Sequence, residues 1–488
     1  MVNVVYLSSE VLPFAKSGGL ADISSVIPKN LNKLGINVIV IMPFYNMVKE
    51  CNCTIDKTDI TFTVNIGDDA KTCCVYKSCL PGTDIPIYFL HNEHYFGRNG
   101  LYNYPGTMRN YEDNCERFIF FARSALELML RLKPCPDIIH CNDWQTGLIP
   151  VYLKTIYGNN ECFKKTRTIM TIHNLAFQGL FPADCMKYTG LDWGLFHPAY
   201  LEFYGMINFL KAGIIFSDSI TTVSETYAEE IQTQEFGERL DGVLRTRSKD
   251  IYGILNGIDY SLWNPESDAL IAANYSYKDL SGKHVCKKAL QRKLGLPEKA
   301  VPIIAMITRL TDQKGLDLVM NIFNKLLRLD IQFVLLGSGE SVYQDFFKQY
   351  AKIVPAKVSA NISFNEPLAH EIEAGADIFL MPSRYEPCGL NQLYSIKYGT
   401  VPIVRHTGGL ADTIFDVRHE KVYKEKANGF SFKEYNADLL YATIIRALDF
   451  YKNRSEWTKL MRNGMKQNWL WEESARKYIS LYEKILRN

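Results

Sequence analysis

The chain is 488 residues long, 47% hydrophobic and 22% charged, and its basic and acidic residues nearly cancel to a net charge of +2. That length predicts two or three domains, and the composition is that of a soluble globular protein. The charge balance argues against a nucleic acid or a membrane surface as main partner, and no apolar stretch is long enough to span a bilayer.

The chain begins without the basic start and small-residue cleavage site of a signal peptide, so a cytoplasmic location is expected; residues 2–7 read as a buried first strand. Strand-like apolar runs follow at 38–42, 85–90, 137–140, 167–172 and 219–223, with an amphipathic helix expected over 114–132. Asn256-Gly257 is a turn signal and Trp263-Asn264-Pro265 breaks regular structure, which puts a domain boundary there, with Gly253 and Gly257 as candidate hinges. A charged helix over 282–293 then opens a second series of strands at 302–307, 332–337, 362–364, 377–381 and 401–404. Alternating β and α segments predict an α/β protein with two Rossmann-like domains facing a central cleft, ligands gathering outside the carboxyl ends of the strands. The expected division is 1–255, 256–467 and a C-terminal helix over 468–488 that crosses back to the first domain. The 12 cysteines are scattered and none has zinc spacing, so reduced thiols without a disulfide framework or metal site are expected.

The candidate chemistry clusters where strands end. Gly-Gly-Leu-Ala-Asp occurs twice, in Lys16-Ser17-Gly18-Gly19-Leu20-Ala21-Asp22 and in His406-Thr407-Gly408-Gly409-Leu410-Ala411-Asp412. A single glycine pair most often makes a turn. The repetition, each time between a strand and a helical segment, points to backbone that a ligand approaches closely and to N–H groups free for an anion. Arg309 and Lys314 share one loop with Gly315, and two cations beside a helix start suit a diphosphate. Ser338 and Gly339 lie on another strand-ending loop, a weak nucleotide signal alone. Glu386 follows the 377–381 strand on a Pro-constrained turn with Tyr385, Cys388, Gly389 and Leu390, where a carboxylate binds sugar hydroxyls or steadies positive charge at a sugar carbon. No activating base marks Cys388, so steric fit is its expected role. His140-Cys141-Asn142-Asp143 and Thr171-Ile172-His173-Asn174 each end a strand, and His173 is the stronger ligand candidate of the two histidines.

These residues resemble a known family. KSGGLAD at 16–22, YFGRNGLY at 95–102, HCNDWQTGL at 140–148, TIHNLAFQG at 171–179, GILNGID at 253–259, RLTDQKG at 309–315, YEPCGLNQL at 385–393 and HTGGLADT at 406–413 occur in the order found in bacterial glycogen synthases and the similar plastid starch synthases. The resemblance implies a GT-B type glycosyltransferase that moves glucose from ADP-glucose to a glucan's non-reducing 4-hydroxyl with retention of configuration. It assigns Lys16, Gly18, Gly19 and Asp22 to the donor side, Arg309 and Lys314 to the diphosphate, and the Thr407-Gly408-Gly409 backbone to its support. Glu386, Cys388, Gly389 and Leu390 would contact glucosyl group and ribose, His173 the sugar O6 side, and Asn256 the hinge end of the cleft. Tyr95, Asp113, Asn114 and Asp143 would fall on the acceptor side. The wider superfamily's second acid would stand at Tyr394, which leaves Glu386 alone. No cofactor or metal is implied, and ADP-glucose and α-1,4-glucan are the expected partners. A UDP-glucose-dependent transferase, a phosphorylase and a non-catalytic glucan-binding protein are the alternatives.

Overall fold

The computed structural model describes residues 1–107, 109–419 and 425–487. The chain forms two compact units: Met1–Val223 with Ala228–Ile254 and the segment from Trp471 onward, and Leu255–Leu470 with Ser224–Tyr227.

The first unit is built on strands β1 (Asn3–Leu7), β2 (Asn37–Pro43), β3 (Asp56–Ile66), β4 (Asp69–Cys79), β5 (Pro86–His91), β6 (Ile138–Asn142), β7 (Arg167–Ile172), β8 (Leu180–Pro182), β9 (Glu202–Phe203), β10 (Met206–Asn208), β11 (Ser219–Thr222) and β12 (Ile251–Gly253). Nine of them make one sheet in the order β12-β11-β7-β6-β1-β2-β5-β4-β3. β6 is buried throughout and β1 nearly so, which is why these strands read as unbroken apolar runs. The sheet reverses its winding between β1 and β6, so the segments after Leu7 and Asn142 leave it side by side at its carboxyl end. The helix Trp471–Arg487 belongs to this unit and is fastened to β6, the Tyr482 hydroxyl lying 2.8 Å from His140 Nδ1.

The second unit has β13 (Ile303–Ile307), β14 (Gln332–Leu336), β15 (Val358–Asn361), β16 (Ile378–Met381), β17 (Val401–Arg405) and β18 (Phe430–Phe432), ordered β15-β14-β13-β16-β17-β18. All are parallel, in the strand order of a dinucleotide-binding fold with its switch point between β13 and β16. The helix Leu316–Leu327 covers one face, burying Leu316, Val319, Ile322, Phe323 and Leu326 at helical spacing. The architecture is thus α/β with two Rossmann-like units, the first sheet parallel except for β4 and its pairing with β3 and β5, the second parallel throughout.

Three expectations need correcting. The strand expected at 362–364 lies at Val358–Asn361, where Val358 is buried, whereas Phe364 points to solvent. The hairpin of β3 and β4 has no counterpart in the sequence reading. Its strands bury one face only, so polar residues interrupt the apolar run that marks a buried strand. Finally, Cys135 and Cys162 are joined by a disulfide, while ten cysteines are free. Thr166 Oγ1 donates to the Pro136 carbonyl at 2.7 Å, closing two loops on each other and leaving the bridged Cα atoms 5.4 Å apart. No helix among the described residues is long and apolar enough to cross a membrane.

Candidate functional site

At the switch point of the second unit, the segments following β13 and β16 enclose a cavity of about 180 Å³ lined by Thr308, Arg309, Lys314, Ser383, Glu386, Gly389, Leu390 and Asn391. Lys314 reaches it because Gly315, at φ 70, turns the chain tightly into the helix Leu316–Leu327. A Cβ there would stand 2.1 Å from the Pro382 carbonyl oxygen, so only glycine brings this loop against the end of β16. Lys314 Nζ donates to Glu386 Oε2 at 2.7 Å, and Ser383 Oγ donates to the same oxygen at 2.9 Å. Arg309 stands exposed at the rim. Its loop is braced from β14: Leu310 N–H donates to the Ser338 carbonyl at 2.9 Å, and a Cβ on Gly339 would meet the Leu310 oxygen at 2.3 Å. Ser338 and Gly339 therefore buttress the cationic loop and do not line the cavity.

The turn carrying Glu386 is held from behind. Gly409 N–H donates to the Glu386 carbonyl at 3.1 Å, which ties the second glycine pair to this turn. Asn256 hydrogen-bonds the Cys388 sulfur, and burial pushes that thiol up to about 12. A thiol so rarely ionised is no nucleophile. Tyr385 gives its carbonyl to Gln313 Nε2 at 3.3 Å, fastening the turn to the cationic loop. Tyr394, where a second acid was sought, stacks on Trp263 with ring centroids 4.1 Å apart.

In the first unit, the glycine pair after β1 is open: a Cβ on Gly18 or Gly19 would meet nothing within 4 Å. Two amides at its start, those of Ser17 and Gly18, are already engaged. The buried Glu10 carboxylate accepts Ser17 N–H at 2.5 Å, Ser17 Oγ–H at 2.7 Å and Gly18 N–H at 3.1 Å. Lys16 Nζ pairs instead with Asp22 at 2.7 Å. Glu10 was missed in the sequence, although Ser8-Ser9-Glu10 sits directly after β1, where ligands gather.

His173 follows β7. Its Nε2 lies 2.8 Å from Asn142 Oδ1, and Asn142 is oriented by donating Nδ2–H to the Leu7 carbonyl at 2.8 Å. The proton is therefore on Nε2, leaving Nδ1 as an acceptor, and Nδ1 has no partner. Burial lowers this imidazole to about 3, so it stays neutral. Beside it Asp143, at φ 55, accepts His173 N–H at 2.8 Å. Burial pushes the Asp143 carboxyl from 3.8 up to about 7, against the pull of the His173 and Asn174 amides and with Glu10 adding. A carboxyl raised in the fold favours folding while protonated. Its contribution is full below about pH 3.8 and gone once pH has risen through about 7. Asp143→Asn is thus expected to gain thermal stability relative to wild type between pH 5 and 7 and nothing further above that. Parallel melting curves would refute the shift.

Comparison with known proteins now bears on these features. Residues 3–246 match the starch synthase catalytic domain and 287–463 the glycosyl transferases group 1 domain. The glycogen synthase of Thermosipho melanesiensis is 48% identical over 487 residues, 99% of each chain. The chain belongs to the glycogen and starch synthase family. The Thermotoga maritima glycogen synthase is 46% identical over 491 residues, again 99% of each chain. Among solved structures, the catalytic domain of Arabidopsis thaliana starch synthase IV, bound to ADP and acarbose, matches at TM-score 0.90 and 33% identity over all of both chains. Sucrose-phosphate synthase from Thermosynechococcus elongatus, at TM-score 0.61 and 16% identity over the whole length of both, shares the fold.

The acceptor-side residues that the synthase resemblance implied are not alike in this structure. Tyr95 is wholly buried and donates to Glu116 at 3.2 Å. Asn114 is buried too, accepting from Arg117 Nη1 at 2.6 Å and donating to the Tyr102 carbonyl at 2.9 Å. Both side chains thus make polar bonds to neighbours that support the 97–113 segment. Asp113 holds Arg98 through both oxygens and keeps partial exposure. Tyr102 ties this segment to Glu10 Oε1 at 2.8 Å.

Proposed function

We propose that the chain catalyses the glycogen synthase reaction, transferring glucose from ADP-glucose to the non-reducing 4-hydroxyl of an α-1,4-glucan with retention of configuration. The observation that carries this reading is the meeting of Arg309, Lys314 and Glu386 on one cavity at the switch point of a dinucleotide-binding sheet. Full-length relatives named glycogen synthase, and the ADP held by the matching starch synthase, support the donor.

In this reading Arg309 and Lys314 grip the diphosphate, each charge-assisted hydrogen bond being worth about 1.5–3 kcal/mol. Glu386 and the backbone at Cys388, Gly389 and Leu390 receive the glucosyl and ribose hydroxyls. The unpartnered His173 Nδ1 accepts a proton bond from the sugar's 6-hydroxyl. Lys16, Asp22 and the open Gly18-Gly19 backbone complete the donor side, and Asp143 with Asp113 serves the acceptor. Retention usually calls for a carboxylate nucleophile and double displacement. We assign instead a same-face transfer: the bond from C1 to the phosphate oxygen breaks, the acceptor O4 joins C1, and the acceptor proton passes to the departing phosphate. The two cations stabilise the charge that grows on that leaving group, in place of a metal ion. A nucleotide-sugar donor and ten free thiols favour a cytoplasmic location.

The test is nucleotide release with glycogen as acceptor, comparing ADP-glucose with UDP-glucose, each with and without chelator. The expected result is chelator-resistant ADP release with label entering the polymer. Preference for UDP-glucose would overturn the donor assignment, and no transfer from either donor would overturn the reaction.

A further inference from the structure

Glu10, just past β1, is 3% exposed, yet it serves two stretches of chain that are far apart in sequence. Its Oε2 accepts the Ser17 and Gly18 N–H groups, while its Oε1 accepts Ser17 Oγ–H at 2.7 Å and Tyr102 Oη–H at 2.8 Å. Ser17 and Gly18 are exposed members of the glycine-pair loop. Gly18 opens the helix Gly19–Lys33 and has no side chain to cap it. The Glu10 carboxylate takes that place, an anion at the positive end of the helix. Tyr102 belongs instead to the 97–113 segment.

All four of these donors are neutral. A buried carboxylate held by neutral donors keeps its place only while its lone pairs are filled, so each bond depends on the others. Tyr102 is itself fixed from several sides. Its carbonyl accepts Asn114 Nδ2–H at 2.9 Å, and its ring centre lies 6.3 Å from that of Trp144, the neighbour of Asp143. Ser9 Oγ lies 2.7 Å from the Tyr102 hydroxyl, and since the phenol proton goes to Glu10, Ser9 is the donor there. The Glu10 charge also reaches Asp143, adding to the rise of that carboxyl. One side chain thus joins the open backbone assigned to the donor with the segment that flanks Asp113 and Asp143.

We propose that Glu10 is a positioning residue that couples the two substrates, setting the Ser17-Gly18 backbone for the donor when Tyr102 holds the acceptor segment in place. The proposal rests on the glucosyltransferase reading above. Glu10 needs no contact with either substrate, because it acts through the two amides and the phenol that it holds. A glucan that orders the acceptor segment tightens the donor loop, and a bound donor returns the effect. An enzyme that adds single units to a polymer gains by binding its donor best when a chain end is already in place.

The test uses Tyr102→Phe, which keeps the ring beside Trp144 and drops the bond to Oε1, with Ser17→Ala, the double variant and Glu10→Gln. Initial rates with glycogen, melting midpoints and hydrogen exchange of the Ser17 and Gly18 amides are measured for each. Tyr102→Phe is expected to raise the KM for ADP-glucose about three- to tenfold, with faster exchange at both amides and with kcat and the melting midpoint near wild type. Ser17→Ala, on the donor loop, is expected to raise the half-saturating glycogen concentration by a smaller factor. The double variant should be no worse than the worse single one, because both act through one carboxylate. Glu10→Gln should raise both constants, and the other variants decide the matter even if it proves unstable. An unchanged donor KM in Tyr102→Phe would overturn the coupling, as would effects that add in the double variant. Losses of kcat and melting midpoint with both half-saturation constants unmoved would overturn it too, reducing Glu10 to support of the fold. Should wild type transfer glucose from no donor, the reaction assignment fails separately. Exchange then decides whether the two segments are coupled: they are if Tyr102→Phe speeds the Ser17 and Gly18 amides, and they are not if both keep the wild-type rate.

Discussion

Lys314→Ala is expected to lower kcat by on the order of 10²–10³-fold while the protein stays folded. Lys314 Nζ sits 2.7 Å from Glu386 Oε2, and the two side chains are only 16% and 8% exposed. Losing the lysine therefore does two things: it removes a cation from the cavity and strands a buried carboxylate. A double-mutant cycle separates them. If Lys314 acts only by neutralising Glu386, then Lys314→Ala with Glu386→Gln recovers most of the turnover lost by Lys314→Ala alone. If Lys314 carries charge developing on the leaving phosphate, the double variant stays as slow, because the substrate still lacks its cation. The second outcome is expected. Near-normal turnover in Lys314→Ala would remove the lysine from the mechanism, and recovery in the double variant would reduce it to a structural partner.

The parts of this fold that the sequence made legible are those buried on both faces. β13, β16 and β17 are apolar almost throughout because helices cover both sides of their sheet, and such runs need no partner to be recognised. β3 and β4 escaped because a strand wetted on one face announces itself only by alternation, which threonine, lysine and aspartate blur. The cationic loop was legible for a similar reason: Arg309, Lys314 and Gly315 are close in sequence and directly follow a clear strand. Glu10 was not, because its partners Ser17 and Tyr102 reach it only once β1 and the 97–113 segment are in place. The free Nδ1 of His173 was equally hidden. It depends on which way the Asn142 amide points, and the Leu7 carbonyl decides that. Residues that act through distant neighbours leave no local pattern.

The two Gly-Gly-Leu-Ala-Asp phrases show how one string can serve two physical ends, and substitution should tell them apart. At the second, φ at Gly408 is +46, and a Cβ would lie 2.0 Å from the Glu386 carbonyl oxygen; at Gly409 it would lie 2.1 Å from that of Cys388. The obstructing atoms are backbone and cannot swing aside, so either alanine must displace the turn that carries Glu386. Asp412 belongs to the same brace, accepting Thr226 N–H at 3.0 Å. Gly408→Ala and Gly409→Ala are each expected to cost about 2–3 kcal/mol of stability and most of the activity together with it. At the first phrase nothing stands within 4 Å of an added Cβ, and Asp22 pairs with Lys16 on an exposed surface. Gly18→Ala and Gly19→Ala should therefore unfold within about 0.5 kcal/mol of wild type. Their loss should fall on the KM for the donor, whose approach the missing side chains permit. Denaturant midpoints and donor saturation curves for the four variants make the comparison. Equal destabilisation at both phrases would mean that the first pair, like the second, is glycine for the sake of the fold, and the open backbone after β1 would lose its claim to a ligand.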